Sequence, residues 1–342
     1  MNSNTLNTSD FNFAPQVSLA AQEDILELSS KIKGFRANII DSEKFRSFRL
    51  TRGVYGQRQE GVQMVRIKLP YGKVTADQII RIADISDKYG SSNLHLTTRQ
   101  DIQLHYVKLD NTAFVWNDLE EVGITMRGAC GNAVRNITAS YTAGVDPKEP
   151  FDVSAYAHNL FEYFLRNPIC QDMGRKFKIS FSTSEEDTAF GFIHDLGFIP
   201  RVKILDGKEV RGFKVLVGGG LGAQPFIAQL VNEFLEEDQL IPFTTAVIRV
   251  FDRYGERTKR HKARMKYLVN GIGVKAFLEL VEKERNAIKD KTYKIDRSLV
   301  DEMILPVVHS FVEATPVDAI KFERFVKSNV FEQKQKGYFG VQ

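Results

Sequence analysis

Between residues 62 and 123 the apolar period changes from two to 3.6 and back, and that succession narrows the fold more than any other feature of the sequence. "VQMVRIKL" (62–69) sets Val65, Ile67 and Leu69 on one face and Arg66 and Lys68 on the other, the alternation of a half-buried strand. Pro70, Tyr71 and Gly72 then turn the chain. "TADQIIRIADISDKYG" (75–90) spaces Ile79, Ile82, Ala83 and Ile85 as a helical stripe. Thr75 and Gln78 stand in capping-box relation, and Gly90 is placed to end the helix. "NLHLTT" (93–98) and "DIQLHYVKL" (101–109) read as strands joined by a tight turn at Arg99 and Gln100. "TAFVWNDLEEVG" (112–123) reads as a second helix stopping at Gly123.

The order β-α-β-β-α predicts a ferredoxin-like half-domain. A chain of 342 residues is long enough for two or three such units and for a large core. Further along, "GRKFKISF" (174–181) predicts a strand with Lys176 and Lys178 on one face and Phe177 and Ile179 on the other. Two ammonium groups side by side repel, so the pair predicts an anion between or above them. The Gly and Asn content of "MRGACGNAVRNITAS" (126–140) predicts backbone lying close to a ligand. "FKVLVGGGLGAQP" (213–225) predicts a buried strand entering a glycine-rich loop, with a helix after Pro225. The loop is similar to a phosphate cradle, yet it lacks a GKS/T ending and is not GxGxxG. Helical patterns cover 152–166, 242–267 and 273–288, and "RYGERTKRHKARMKY" gathers cations in a short span. Gln57, Gln59 and Gly61 recur as Gln333, Gln335 and Gly337, an internal echo where a second copy of the half-domain would start, with "GYFGVQ" as a strand stub lacking a partner.

Composition bounds the function. Hydrophobic and charged contents of 43% and 26% are those of a globular protein. A net charge of +4 is too mild to imply nucleic acid. No run approaches the length of a membrane span, and the polar start of the chain carries no apolar signal segment, so a cytoplasmic protein without a membrane partner is expected. Cys130 and Cys170 form no CxxC, and His95, His105, His158, His194, His261 and His309 show no metal-ligand spacing, so this chain alone holds no four-cysteine cluster site.

Taken together, "LTTRQDIQLH", "GACGNAVRNI", "RKFKISF", "VLVGGGLG" and "RTKRHKARMKY", in that order over roughly 50–290, resemble the siroheme-dependent nitrite/sulfite reductase family. The resemblance implies an α+β chain: an N-terminal extension (1–55), the ferredoxin-like half-domain (56–125), a larger α/β siroheme/[4Fe–4S]-type reductase domain (126–290), and a linker opening a truncated second repeat (291–342). It implies that Arg99, Arg135, Lys176 and Lys178 line the distal face of the siroheme iron, bind the substrate anion and supply protons. Asn136 and the amides of Gly218, Gly219 and Gly220 would meet siroheme, and Arg257 and Arg260 its carboxylates or an acidic electron donor. The [4Fe–4S] cysteines belong to the C-terminal half of such enzymes, so that half is an expected partner, with ferredoxin or a flavoprotein as donor. Lys178 stands where the nitrite branch tends to carry asparagine, which favours sulfite over nitrite. A noncatalytic anion- or nucleic-acid-binding α/β protein is the alternative from another class.

Overall fold

The computed structural model describes residues 10–298, 318–334, 336–337 and 339–341. Two helices open it, α1 (Leu19–Arg36) and α2 (Ser42–Leu50). The first sheet follows: β1 (Val54–Gly56), β2 (Val62–Ile67), α3 (Ala76–Tyr89), β3 (Leu94–Leu96), β4 (Ile102–Lys108) and α4 (Thr112–Glu120). The strands lie in the order β1-β2-β4-β3, all antiparallel. Within it β2-α3-β3-β4-α4 is the ferredoxin-like half-domain, with β1 as an added edge.

Local sequence explains these elements. Thr75 accepts from the Gln78 amide and Gln78 returns the bond to Thr75, so both halves of the capping box are made. Ile82 and Ile85 are buried, whereas Ile79 and Ala83 face outward, so the stripe is narrower than its pattern. Val65, Ile67, Ile102, Leu104 and Val107 form one core with Ile25 and Leu28 of α1 and Trp116 of α4.

The second sheet contains β5 (Val134–Ala139), β6 (Phe177–Phe181), β7 (Leu196–Leu205), β8 (Lys208–Val217) and β9 (Gln229–Glu236), in that spatial order. β5, β6 and β7 are parallel, and β7, β8 and β9 antiparallel. Asp206 and Gly207, both at positive φ (50° and 74°), close the β7–β8 hairpin. Helices α5 (Ser154–Leu165), α6 (Leu240–Tyr254), α7 (Met265–Ile272) and α8 (Val274–Ala287) contribute to a second core with Phe177, Ile179 and Phe181 of β6.

Two expectations need correction. The segment after Pro225 is strand β9 rather than a helix: pairing with β8 outweighs the helix-forming residues in "QLVNEFLEE". The helix expected over 242–267 breaks at Gly255, after which the Glu256 carboxylate accepts from the amides of Thr258 and Lys259 and holds a turn.

The terminal strand is also not an unpaired stub. Helix α9 (Ala319–Asn329) leads into β10 (Val330–Glu332), which pairs with β11 (Phe339–Val341). The pairs Val54↔Val65, Tyr55↔Met64 and Gly56↔Gln63 recur as Val330↔Val341, Phe331↔Gly340 and Glu332↔Phe339, each displaced by 276 residues. The preceding helices share "KF" and a further Phe, and each is N-capped by an aspartate, Asp41 or Asp318. The echo is therefore a repeat at the level of strand register. Gln335, one of its residues, lies outside the described residues. The copies differ in cover: Phe45 is 2% exposed and stacks on Phe35, whereas its counterpart Phe322 is 53% exposed.

Candidate functional site

The site lies on the seam between the two cores, and three side chains stitch that seam. Gln100, at φ 57° in the β3–β4 turn, donates to the Ala139 carbonyl at 2.7 Å and accepts from the Ala139 amide at 3.1 Å. Its amide pairs with edge strand β5 as a neighbouring strand would. Asn136, fully buried on β5, donates to the carbonyls of Leu69, Arg99 (3.1 Å) and Gln100 (3.4 Å). Arg99 answers in the opposite direction, through Nη2 to the Asn136 carbonyl and the Ile179 carbonyl at 3.4 Å and through Nη1 to His194 Nε2. The Asn136→Ala variant is expected to lose about 1–3 kcal/mol of stability, because three buried carbonyls lose their donor. Urea denaturation measures this, and an unchanged midpoint would contradict the role.

The cations gather around this seam. Lys176 and Lys178 are half-buried on one face of the β6 segment, while Phe177 and Ile179 are buried on the other. Both lysines are pushed down to about 8, first by burial. Lys176 is lowered further by Arg135, Arg175, Arg264 and Arg66, and Lys178 by Arg99, Arg264 and Lys176. Arg99 falls to about 10 through burial, against the pull of Asp101. Arg135 is also lowered by burial, and its guanidinium is aimed by the carbonyls of Ala129 (3.1 Å) and Gly131 (3.4 Å). Arg99, Arg135, Lys176 and Lys178, spread over 80 residues of sequence, thus lie within Coulombic reach of one another.

Several members carry no signal in the sequence. Lys68 was read as the outer face of a strand. That face is instead the seam: Lys68 is 4% exposed, pushed down to about 8, and donates to the Val134 carbonyl at 3.3 Å. Asp101, buried among Arg66, Arg99, Lys68 and Arg135, is pushed up to about 6 because desolvation outweighs those cations. Asp195 is buried and accepts from the Lys178 amide at 3.0 Å and from Arg264 at 2.8 Å. Arg175 lies beside Arg260 and Arg264 and is lowered by burial first.

Within the basic stretch it is Arg264, not Arg257, that enters the cluster. The break at Gly255 and a short 3₁₀ turn (Arg260–Lys262) change the helical phase and bring Arg264, the N-cap of α7, inward. Arg257 is held by the Asp252 carboxylate and the Asp172 carbonyl. Arg260 is exposed at the rim, close enough to lower Arg175.

The glycine-rich loop also has another physical reason. The Gly218 amide donates to the Asp195 carbonyl and the Gly220 amide to the Phe226 carbonyl. A Cβ on Gly219 would meet the Phe192 carbonyl oxygen at 2.5 Å, so this glycine permits close backbone packing. Lys266 Nζ clamps the loop through the carbonyls of Leu221 (3.0 Å) and Gln224.

These residues fit a bound polyanion. Arg66, Lys68, Arg99, Arg135, Lys176 and Lys178 face Asp101 and an Asp195 already paired to Arg264, and the buried Nε atoms of Arg99 and Arg175 have no partner. Buried positive charge in such excess is costly unless an anion balances it. They do not fit an iron–sulfur cluster. Among the described residues no group of His, Cys, Asp or Glu is placed to hold a metal, and the buried Cys130 and Cys170 are both free thiols. A separate cleft of about 820 Å³ opens beside the turn, lined by Tyr71, Ile79, Leu96, Gln100, Asp101 and Tyr141. No described helix is long and apolar enough to cross a membrane.

Comparison with known proteins points the same way. Residues 55–122 match the family model of the nitrite/sulfite reductase ferredoxin-like half domain, and residues 130–289 that of the nitrite and sulphite reductase 4Fe-4S domain. An assimilatory ferredoxin-dependent nitrite reductase of Haloferax mediterranei is 32% identical over 246 residues, 68% of this chain and 42% of that protein. Sulfite reductase [ferredoxin] 2 of Mycolicibacterium paratuberculosis is 28% identical over 283 residues, 78% of this chain and 50% of that protein. The solved structure of Mycobacterium tuberculosis NirA superposes with a TM-score of 0.68 at 25% identity, covering 77% of this chain and 53% of that one. The chain spans about half the length of the curated relatives it matches.

Proposed function

Because the chain belongs to the siroheme-dependent nitrite and sulfite reductase family, we propose that it is the N-terminal half of a reductase that takes sulfite to sulfide. The carrying observation is the gathering of Lys176, Lys178, Arg99 and Arg135 around a single seam, each lowered first by burial, with Lys176 and Arg99 further lowered by Arg135, and Lys178 by Arg99 and Lys176. The division 1–55, 56–125, 126–290 and 291–342 is part of this reading, as is a cytoplasmic location.

Each side chain has a chemical task. Arg99 and Arg135 offer planar N–H forks to the anion oxygens. Lys176 and Lys178, held near 8, donate protons close to neutral pH and recover them from water, as departing oxygens require. Arg66 and Arg175 fit the carboxylates of siroheme, with Arg260 at the rim and the buried Lys68 adding to the positive field behind them. Asn136 and Gly218–Gly220 shape the seam. Siroheme, when bound, supplies the iron chemistry and the electron path. The chain's cysteines do not suit a [4Fe–4S] cluster, so its ligands are assigned to the C-terminal half. Exposed Leu94, Leu96, Ile79 and Tyr141, lining the cleft, suit that partner.

Ferredoxin is the proposed donor, since both relatives are named for it. Nitrite is the second reading, favoured by the 32% identity to a nitrite reductase. Co-expression with a siroheme supply and a complementary C-terminal half should yield an assembled protein with a haem-like Soret band, while the chain alone should carry no cluster. A colourless assembly would reject the reading and favour a noncatalytic anion-binding protein.

A further inference from the structure

We propose that His194 is the positioning residue that holds Arg99 ready for the anion through an acceptor that adds no negative charge of its own. This rests on the anion-binding reading of the seam and adds the device that maintains it.

The two contacts of the His194 ring fix its tautomer. His194 follows the short 3₁₀ turn Gly191–Ile193 and is separated from β7 by Asp195 alone. Its Nδ1 lies 2.7 Å from the Phe190 carbonyl oxygen. A carbonyl only accepts, so Nδ1 carries the hydrogen. Nε2 is then bare, and it faces Arg99 Nη1, which only donates. The two contacts require one another: a neutral ring, protonated at Nδ1, accepting from a guanidinium.

The loop that presents this ring is itself fixed. Asp187 accepts from the amides of Gly191 (2.7 Å) and Phe192 (3.2 Å) and from the Ser182 hydroxyl at 2.5 Å. The Phe192 carbonyl accepts from the Ala228 amide, which ties the loop to the segment entering β9. His194 is buried, so its ring has little freedom to leave.

The groups that face His194 are Arg99, Lys178 and Arg264, with the Phe190 carbonyl on the far side of the ring. Burial and those three cations push its pKa down to about 3, with only the carbonyl bond acting against them. The ring is therefore no proton carrier near neutral pH.

The adjacent residue shows what a charged acceptor does. Asp195 holds Arg264 with a carboxylate, and the pair is close to neutral. At position 194 an imidazole gives Arg99 a hydrogen-bond acceptor with no negative charge. Arg99 is aimed by His194 and the Asn136 carbonyl, and none of its hydrogen bonds goes to a carboxylate, Asp101 acting on it only through space. The dipeptide His194–Asp195 thus treats two neighbouring arginines differently, one bonded to a neutral acceptor and one to a carboxylate.

The test is calorimetric titration of the 342-residue chain with sodium sulfite at pH 7, in wild type, Arg99→Ala, His194→Phe, His194→Gln and His194→Asp. Arg99→Ala should weaken binding about 10-fold or more. His194→Phe, lacking an acceptor, should weaken it several-fold, and His194→Gln, whose amide oxygen accepts without charge, should restore most of the loss. His194→Asp should weaken binding at least as much as His194→Phe, because it aims the guanidinium but neutralises it. A weakened Arg99→Ala with an unchanged His194→Phe overturns this inference alone, as does wild-type affinity in His194→Asp. Wild-type affinity in Arg99→Ala overturns the anion-binding reading and this inference with it. If His194→Phe fails to fold, the ¹⁵N spectrum of the wild-type ring decides. Nδ1 protonated and Nε2 bare down to pH 5 supports the inference, and an imidazolium at pH 5 or the opposite tautomer overturns it.

Discussion

The Lys178→Asn variant of the assembled reductase is expected to lower kcat/KM for sulfite about 10- to 100-fold, and kcat/KM for nitrite by clearly less. The range follows from a charge-assisted contact worth about 1.5–3 kcal/mol. Lys178 is half-buried on β6, and its amide is fixed by Asp195 at 3.0 Å, so the side chain starts from a set position. Sulfite reaches two negative charges where nitrite has one, and losing a nearby cation therefore costs it more. Asparagine retains some hydrogen bonding, so the loss reads chiefly the charge. Steady-state kinetics with both anions on the same preparation measures it. An equal loss for the two would remove the case for sulfite.

Raising the pH should pull anion affinity and fold stability in opposite directions. Lys176 and Lys178 have an ordinary value of 10.5 and sit near 8 in the folded chain, first because they are buried. Below about 8 both carry their charge, and the anion meets the full cluster. Between about 8 and 10.5 the folded chain loses these protons while an unfolded chain keeps them. The unfolded state then binds more protons, so stability rises across that window. Lys68, lowered to about 8 by burial, adds to the same slope. Affinity for nitrite, a monoanion throughout, should meanwhile fall about 10-fold or more from pH 7 to pH 10. Titrations and urea midpoints at matched pH check both signs. Parallel slopes would mean that the lysines do not face the bound anion.

What could be read in advance follows how local the cause is. The capping box at Thr75 and the alternation of "RKFKISF" involve neighbours in sequence, and both are present as read. The echo of Gln57 and Gly61 in Gln333 and Gly337 is legible for the same reason, but the pairing of β10 with β11 is not, because "VFE" (330–332) carries no signal of its own. Strand β9 was misread because its residues prefer a helix and only the neighbouring β8 makes them a strand. Arg264 was passed over because one glycine, Gly255, changes the helical phase of the basic stretch. The alternation sets Lys68 opposite Val65 and Ile67 but cannot show that a second unit covers that face. His194 and Asp195 acquire their meaning only from Arg99 and Arg264, which lie 95 and 69 residues away.

The stitched seam has a thermodynamic consequence. Each core closes with its own elements, so the two units own separate apolar free energy and share Arg99, Gln100 and Asn136 at their border. An anion that binds the border binds the docked arrangement and not the separated units. By mass action it stabilises docking by about 2.7 kcal/mol when its concentration is a hundred times its dissociation constant. A bound anion would therefore act as a fastener between two independently built bodies, set against the mutual repulsion of the cations at their border.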